Sequence, residues 1–175
     1  MRKGARRHAA AAAAATFALV ACAPPAPYSG EIPKVRSELT RSYGKPAEVL
    51  TRDVGHGVPV LWEVSVDKPK LVPATPTFPK ALCNRVRMTP TFIGDYPVDV
   101  TVPLPRFTPV NGDENANYLN DTSLCGEDVN PPTGYTGEMR EGREYSFYVA
   151  SWDGLYGIAG TGVKLSTRDQ TVTWQ

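Results

Sequence analysis

The stretch Val58-Pro59-Val60-Leu61-Trp62-Glu63-Val64-Ser65-Val66-Asp67 decides the fold class. Apolar residues occupy every second position from Val58 to Val66, and Leu61, Glu63, Ser65 and Asp67 point the other way. This alternation is typical of a β-strand that is buried on one face. The preceding Gly-His-Gly at residues 55–57 is a turn signal, and it predicts a partner strand near residues 48–54.

The same alternation recurs through the rest of the chain. It predicts strands at residues 82–88, 98–104, 145–150, 163–165 and 172–174, and residues 118–119 as a candidate for a further short strand. A turn at Asn111-Gly112-Asp113 is of the kind that closes tight hairpins. No helices suitable for parallel crossover connections are evident. The sequence therefore predicts an all-β fold, an antiparallel sandwich of about seven or eight strands.

The first 22 residues have the order of an export signal. Basic residues within 1–8 precede an apolar run at residues 9–21 that includes seven consecutive alanines. This run is shorter than the about 20 residues needed to span a bilayer, and it suits the hydrophobic region of a secretory signal. It ends in Leu19-Val20-Ala21-Cys22.

This ending resembles the lipobox of bacterial lipoproteins. The resemblance implies that residues 1–21 are a signal peptide, that cleavage occurs before Cys22, and that the Cys22 thiol carries a diacylglyceryl group. Two acyl chains hold a protein on a bilayer where one chain does not. The expected location is the extracytoplasmic face of the cell membrane. The alternative is an ordinary signal peptide that is cleaved elsewhere, with Cys22 incidental.

With Cys22 assigned to the lipid, Cys83 and Cys125 remain as an even pair. In an exported, oxidising compartment such a pair predicts a disulfide bond, which here would close a loop of about 40 residues. The alternative is two buried free thiols.

Residues 22–45 are predicted to be a tether between the lipid and a sandwich domain at residues 46–175. The prolines at 24, 25 and 27 favour an extended polyproline conformation. Ile32, Val35, Leu39 and Tyr43 have helical spacing, so residues 31–45 are either a short helix or a continuation of the tether.

Several segments of residues 46–175 resemble an immunoglobulin-like domain family. The family occurs in Gram-positive surface lipoproteins and in a small secreted immunogenic antigen of mycobacteria. The matching segments are residues 61–66, 85–92, 106–113, 141–149 and 171–175, with Gly142 in a turn and Phe147 in the core. The resemblance implies an immunoglobulin-like β-sandwich and surface exposure, and it brings no catalytic residues.

Charge and composition argue against several classes of function. The chain has 19 Lys and Arg against 18 Asp and Glu, but four of the basic residues lie within residues 1–21. The remainder has 15 basic and 18 acidic residues, a net charge of −3, which does not suit nucleic-acid binding. With two histidines and three cysteines, a zinc site of the usual kind is not expected.

Neither a calcium site nor a catalytic site is expected. Residues 113–117 offer alternating oxygen ligands, but an EF-hand counted from Asp113 would need glycine at Tyr118 and a carboxylate at Leu124, so a solvated turn is favoured. His56 lies between two glycines and is interpreted as a turn residue rather than a general base. We therefore expect no metal, no cofactor and no enzymatic activity.

The sequence predicts a membrane-anchored, non-catalytic binding or interaction module whose partner is an envelope or surface protein. Its candidate interaction surface consists of Tyr135, Tyr148, Trp152 and Tyr156. The favoured alternative for these aromatic residues is that they cover a second hydrophobic face of the sandwich. Two other functions remain open. One is a prophage- or plasmid-encoded surface lipoprotein that blocks phage infection, and the other is an envelope enzyme inhibitor acting through a loop at residues 111–137.

Overall fold

Two β-sheets make up the fold. The computed structural model describes residues 28–53, 55, 57–96, 102–132, 139–153 and 159–175. Sheet A has the order β1-β11-β10-β6-β7. Its strands are β1 (Glu38–Arg41), β6 (Arg106–Asn111), β7 (Glu114–Asn115), β10 (Gly162–Ser166) and β11 (Thr171–Trp174). Sheet B has the order β2-β3-β5-β9-β8, and β4 also pairs with β5. Its strands are β2 (Ala47–Arg52), β3 (Pro59–Val66), β4 (Lys70–Val72), β5 (Ala81–Phe92), β8 (Tyr118–Leu119) and β9 (Tyr145–Trp152).

The predicted all-β sandwich is confirmed. Among the described residues, every strand pairing is antiparallel except that of β1 with β11, which is parallel. The described residues contain eleven strands rather than about seven or eight, because pieces such as β4 and β7 are only two or three residues long. The predicted hairpin at residues 111–113 is present, with Gly112 at φ 60° between β6 and β7.

The core lies between the inner faces of the two sheets. From sheet B it takes the alternate β3 residues Val60, Trp62, Val64 and Val66, all fully buried as the sequence pattern predicts. From sheet A it takes the buried residues Val163, Leu165, Val172 and Trp174. The Trp62 indole N–H donates to Thr51 Oγ1 at 2.9 Å, and the Trp174 indole N–H donates to the Lys45 carbonyl at 2.9 Å. Both large rings are therefore buried with their polar atoms satisfied.

Strand β1 corrects the interpretation of residues 31–45. This segment forms neither a helix nor a continuous tether, because Glu38–Arg41 pairs with β11 and the Thr171 N–H donates to the Ser37 carbonyl at 2.7 Å. Leu39 and Tyr43 belong to the pattern with helical spacing, and both pack against the core, but Leu39 does so from strand β1 and Tyr43 from the turn that follows it. The folded domain thus begins near residue 37 instead of residue 46.

The strand predicted over residues 98–104 is not seen in its described part. Residues 97–101, including Val98 and Val100, lie outside the described residues, and residues 102–105 are irregular although Val102 is buried. Pro103 and Pro105 lack the N–H groups that a strand ladder requires, which accounts for the irregular backbone.

The outer edge of β2 is covered by the side chain of Gln170, which lies in the turn between β10 and β11. The Leu50 N–H donates to Gln170 Oε1 at 3.2 Å, and Gln170 Nε2 donates to the Glu48 carbonyl at 2.9 Å. Gln170 is only 3% exposed. One amide side chain therefore satisfies two main-chain groups that an uncovered edge strand would offer to another chain.

We expect Gln170→Ala to lower the free energy of unfolding by about 1–3 kcal/mol, because it leaves the buried Leu50 N–H without an acceptor. Urea denaturation measures this change. Gln175→Ala is the matched control, since this exposed side chain should contribute less than about 0.5 kcal/mol. Equal stabilities for the two variants would contradict the role given to Gln170.

Some sequence predictions fall outside the described residues. The leader, Cys22, the tether up to residue 27 and His56 are among them. Within the described ranges, no helix is long and apolar enough to cross a membrane.

Candidate functional site

A cleft opens at one side of the sandwich, where β6 of sheet A faces β9 of sheet B. We call it the lateral cleft; its volume is about 380 Å³. Its inner walls are apolar and come from both sheets: Met88, Leu104, Pro105, Phe107, Phe147 and Val149. Its mouth is formed by residues of β8, β9 and the segment that follows β8: Tyr118, Asn120, Thr122, Pro131, Pro132 and Tyr148. The cleft thus combines an apolar interior with a partly polar mouth, which is the usual composition of a ligand site.

Aromatic rings dominate the interior of the cleft. The Phe107 and Phe147 rings meet edge to face, with centroids 5.2 Å apart and an interplanar angle of 75°, and they connect the two sheets. Two large side chains remain exposed here, since Leu104 is 42% and Tyr118 is 47% accessible to solvent. Exposed apolar side chains beside a groove are a common feature of binding sites.

The edge of β9 is interrupted inside this cleft. Ser146 and Asn130 exchange two main-chain hydrogen bonds of 2.9 Å, and Ala150 pairs with Leu119. Because main-chain groups alternate in direction along a strand, the N–H and C=O of Tyr148 also point to this edge, away from β5. Among the described residues, no main-chain group bonds to Tyr148 at this edge. A donor and an acceptor are therefore open between two paired positions.

The segment after β8 crosses the outer face of sheet B and is fixed there by a disulfide bond between Cys83 and Cys125. This confirms the predicted bridge. The two cysteines and Ala150 form a small buried cluster on that face, separate from the main core. The disulfide therefore holds the residues that shape the mouth of the cleft.

An ion pair beside the disulfide also holds the segment after β8 against sheet B. Arg85 Nη1 donates to Asp128 Oδ2 at 2.7 Å, and its Nη2 donates to the Asp128 carbonyl at 2.8 Å. The Tyr148 hydroxyl donates to Asp128 Oδ1 at 3.3 Å. The positive charge of Arg85 holds the pKa of the Asp128 carboxyl below its ordinary value. Burial, followed by the negative charge of Asp128, raises the pKa of the Tyr148 phenol.

We expect Arg85→Gln to raise the pKa of Asp128 back toward its ordinary value. The pairing stabilises the fold above the ordinary carboxyl pKa, and this contribution disappears as the pH falls through the lowered folded pKa. A carbon-detected NMR titration of the side-chain carboxyls measures the shift.

Asp121 serves as the internal control for this titration. Its pKa is lowered by hydrogen bonds from Ser123, including the backbone N–H at 3.0 Å, and should not change in the Arg85 variant. An unchanged pKa at Asp128 would contradict the stated cause.

Of the four residues predicted as an interaction surface, the structure describes Tyr148 and Trp152. Tyr148 lies on the face of β9 opposite Phe147, as the alternation predicts, and it packs against the disulfide cluster. Trp152 lies at the end of β9 and is half-buried, and its carbonyl accepts a hydrogen bond from Asn117 Nδ2 at 3.3 Å. Tyr135 and Tyr156 lie outside the described residues.

The loop predicted at residues 111–137 is held close to the sandwich in its described part. Strands β7 and β8, the 3₁₀ turn Ser123–Cys125 and the Asn130–Ser146 bridge all lie within it. Asn115, in the segment weighed as a cation loop, accepts a hydrogen bond from Lys164 Nζ at 3.1 Å through its Oδ1. In the described ranges, no three His, Cys, Asp or Glu side chains are grouped so as to hold a metal ion.

Of the residues that line the cleft, sequence reasoning singled out only Tyr148 as a candidate site residue. Phe107, Tyr118 and Pro131 are distant in sequence, and the pairing of β8 with β9 brings them to one opening. The predicted short strand at residues 118–119 was the one local signal for this edge.

A groove on the opposite side of the sandwich has a different character. It has a volume of about 330 Å³, lies between β1 and β2, and is lined by charged residues that include Lys34, Arg36, Arg41, Glu48 and Glu63. Mixed charges around an N-terminal strand are typical of solvated surface, so the lateral cleft is the stronger candidate.

No protein-family model matches the chain, and no curated protein matches it with significance. A similar solved structure is the 1.5 Å crystal structure of MPT63, a secreted protein from Mycobacterium tuberculosis. It is 14% identical, the match covers 81% of this chain and 99% of that one, and the TM-score is 0.45.

Proposed function

We propose that this chain is a non-catalytic, extracytoplasmic binding module. A lipid on Cys22 holds it on the membrane, and the lateral cleft binds an envelope or surface protein. The observation that carries the proposal is the combination of an apolar cleft with an open strand edge at its mouth. Within the described part of the domain, the apolar walls of the cleft are not covered by other residues, and no main-chain group bonds to the edge of β9 at Tyr148.

The extracytoplasmic location is supported by the disulfide bond and by the leader. Disulfide bonds persist in oxidising compartments and are rare in the cytosol. The Cys83–Cys125 bridge ties the mouth of the cleft to sheet B, so the binding surface itself depends on an oxidising environment. The basic and apolar leader supplies the export signal for that compartment.

A photo-crosslinking experiment tests this function. The full chain is expressed with a benzophenone amino acid at Asn120, at the mouth of the cleft, or at Thr40, on β1 at the opposite edge. Illumination of intact cells should give a discrete adduct with an envelope protein from position 120 and none from position 40.

Dependence on the cleft is tested with a second substitution. Tyr118→Ala should reduce the adduct because it removes an exposed ring from the mouth, whereas Leu71→Ala, on β4, should not. No adduct from position 120, or equal adducts from both positions, would refute the proposed function.

A further inference from the structure

Tyr28 attaches the N-terminal segment to the domain before the first strand begins. Its ring lies against Gly94, because a Cβ atom added to this glycine would come within 3.1 Å of Tyr28 Cε2. The Tyr28 hydroxyl also donates to the Glu31 carbonyl at 3.3 Å, so the ring is held by its own segment as well. The chain therefore meets the domain at residue 28, although β1 starts only at Glu38.

The loop that contains this glycine lies at one end of the sandwich. The Ile93 N–H donates to the carbonyl of Pro59, the first residue of β3, at 3.2 Å. Pro59 is also paired with Arg52 at the end of β2, and Arg52 Nε lies 3.0 Å from Asp169 Oδ2 in the turn between β10 and β11. Residues 93–96 and 167–170 therefore share this end, which we call the proximal end. The opposite end, at the start of β5, is about 36 Å away along this strand of 12 residues.

Little chain remains between the Tyr28 contact and the lipid. Residues 23–27 separate Cys22 from Tyr28. An extended chain advances at most about 3.6 Å per residue, so the path from Cys22 to Tyr28 reaches at most about 22 Å. If the opposite end of the sandwich faced the membrane, Tyr28 would lie beyond this reach. This inference rests on the lipid attachment proposed above: we propose that the proximal end faces the bilayer and contacts the phosphates of its phospholipid headgroups.

Two exposed arginines at the proximal end are free to bind phosphate. Arg168 lies in the turn between β10 and β11, and Arg140 precedes Glu141, whose Oε1 accepts the Phe92 N–H at 3.1 Å at the end of β5. Neither arginine forms an ion pair within the described ranges. Guanidinium groups bind phosphate through charge-assisted hydrogen bonds, so both can contact headgroups. Asp95 is an exposed acid at the same end, so the short tether, rather than net charge, sets the orientation.

The outer face of sheet B offers less to a lipid surface. Its Arg85 is paired with Asp128 at 2.7 Å, and its Arg87 is paired with Asp67 at 2.6 Å. Contact of headgroups with this face would compete with these ion pairs, whereas contact with the proximal end uses unpaired cations. The charges therefore favour a domain that stands on its proximal end over one that lies on the outer face of sheet B.

Paramagnetic broadening of amide signals tests this orientation. The chain is purified from membranes, its lipid is verified by mass spectrometry, and it is placed in bicelles of phosphatidylcholine and phosphatidylglycerol that contain a gadolinium-chelating lipid. The signals of Asp95 and Arg168 should broaden at least about threefold more than those of Ala74 and Thr77, because the loop between β4 and β5 lies a strand length away.

Tyr28→Ala tests the contact that shortens the tether. Without the ring, the next half-buried side chain is that of Ile32, and the reach from Cys22 increases to about 36 Å. Broadening at the proximal end should therefore fall at least about twofold, because the domain can move further from the bilayer. Tyr118→Ala removes an exposed tyrosine from the mouth of the lateral cleft and is the matched control, which should leave the broadening unchanged. Thermal melts verify that both variants are folded.

The outcomes separate this inference from the proposed function. Equal broadening at the two ends of a lipidated chain, or broadening that Tyr28→Ala leaves unchanged, overturns the inference alone. If the purified chain carries no lipid, the membrane attachment in the proposed function and this inference both fail. If the proximal end broadens as expected and no crosslink forms from position 120 in cells, the binding function fails and the orientation stands.

Discussion

Replacing Cys83 and Cys125 together with alanine is expected to lower the free energy of unfolding by about 4 kcal/mol. The bridge joins residues 42 positions apart, and a closed loop of this length restricts the unfolded chain by about that amount. The loss is a large fraction of the stability of a typical domain, so the variant should unfold at a much lower urea concentration than the parent protein.

The parent protein treated with a reducing agent is the matched control. Reduction and double substitution should give similar urea midpoints, because both remove the same covalent constraint. We also expect binding at the lateral cleft to weaken in both samples, since Tyr118, Asn120 and Pro131 lie on the segment that the bridge holds. A stability loss below about 1 kcal/mol in either sample would show that noncovalent contacts fix this segment.

Cys22→Ala is expected to abolish lipid labelling completely. The thiol is the attachment atom that the lipobox resemblance implies, and two acyl chains contribute about 0.8 kcal/mol for each buried methylene. Incorporation of an alkyne-bearing fatty acid, followed by fractionation of the cells, measures both lipidation and location. The variant should incorporate no label and accumulate as the uncleaved precursor.

The double Cys83→Ala and Cys125→Ala variant is the control for thiol specificity. It retains Cys22 and should be labelled like the parent chain. Labelling that persists in Cys22→Ala would refute the assigned attachment site, and cleavage without labelling would indicate an ordinary signal peptide.

Local patterns predicted much of the sandwich. Strands β3 and β9 were identifiable because their alternation is strict and their inward residues, such as Trp62 and Val149, are buried. The disulfide followed from the parity of the cysteines in a chain that the leader predicts to be exported. In each case the information lies within a few residues or in a simple count.

Strand β1 and the lateral cleft could not be predicted in the same way. Leu39 and Tyr43 have helical spacing, but Glu38–Arg41 is extended because it pairs with β11, more than 120 residues later in the chain. The cleft exists because β8 ends at Leu119 and the chain returns to the edge at Asn130 after crossing the outer face of sheet B. Neither arrangement leaves a periodic signal in the sequence.

The parallel pairing of β1 with the last strand has a mechanical consequence. The chain enters β1 at Glu38, and the residues paired with β11 run from there to Arg41 along the strand axis. If the N-terminus is pulled along the strand axis while the rest of the domain is held, the load acts in shear on all the hydrogen bonds between these two strands at once. Bonds loaded together resist rupture better than bonds opened one after another, so the fold should withstand a pull along this axis better than a pull that peels β1 sideways from the edge of sheet A.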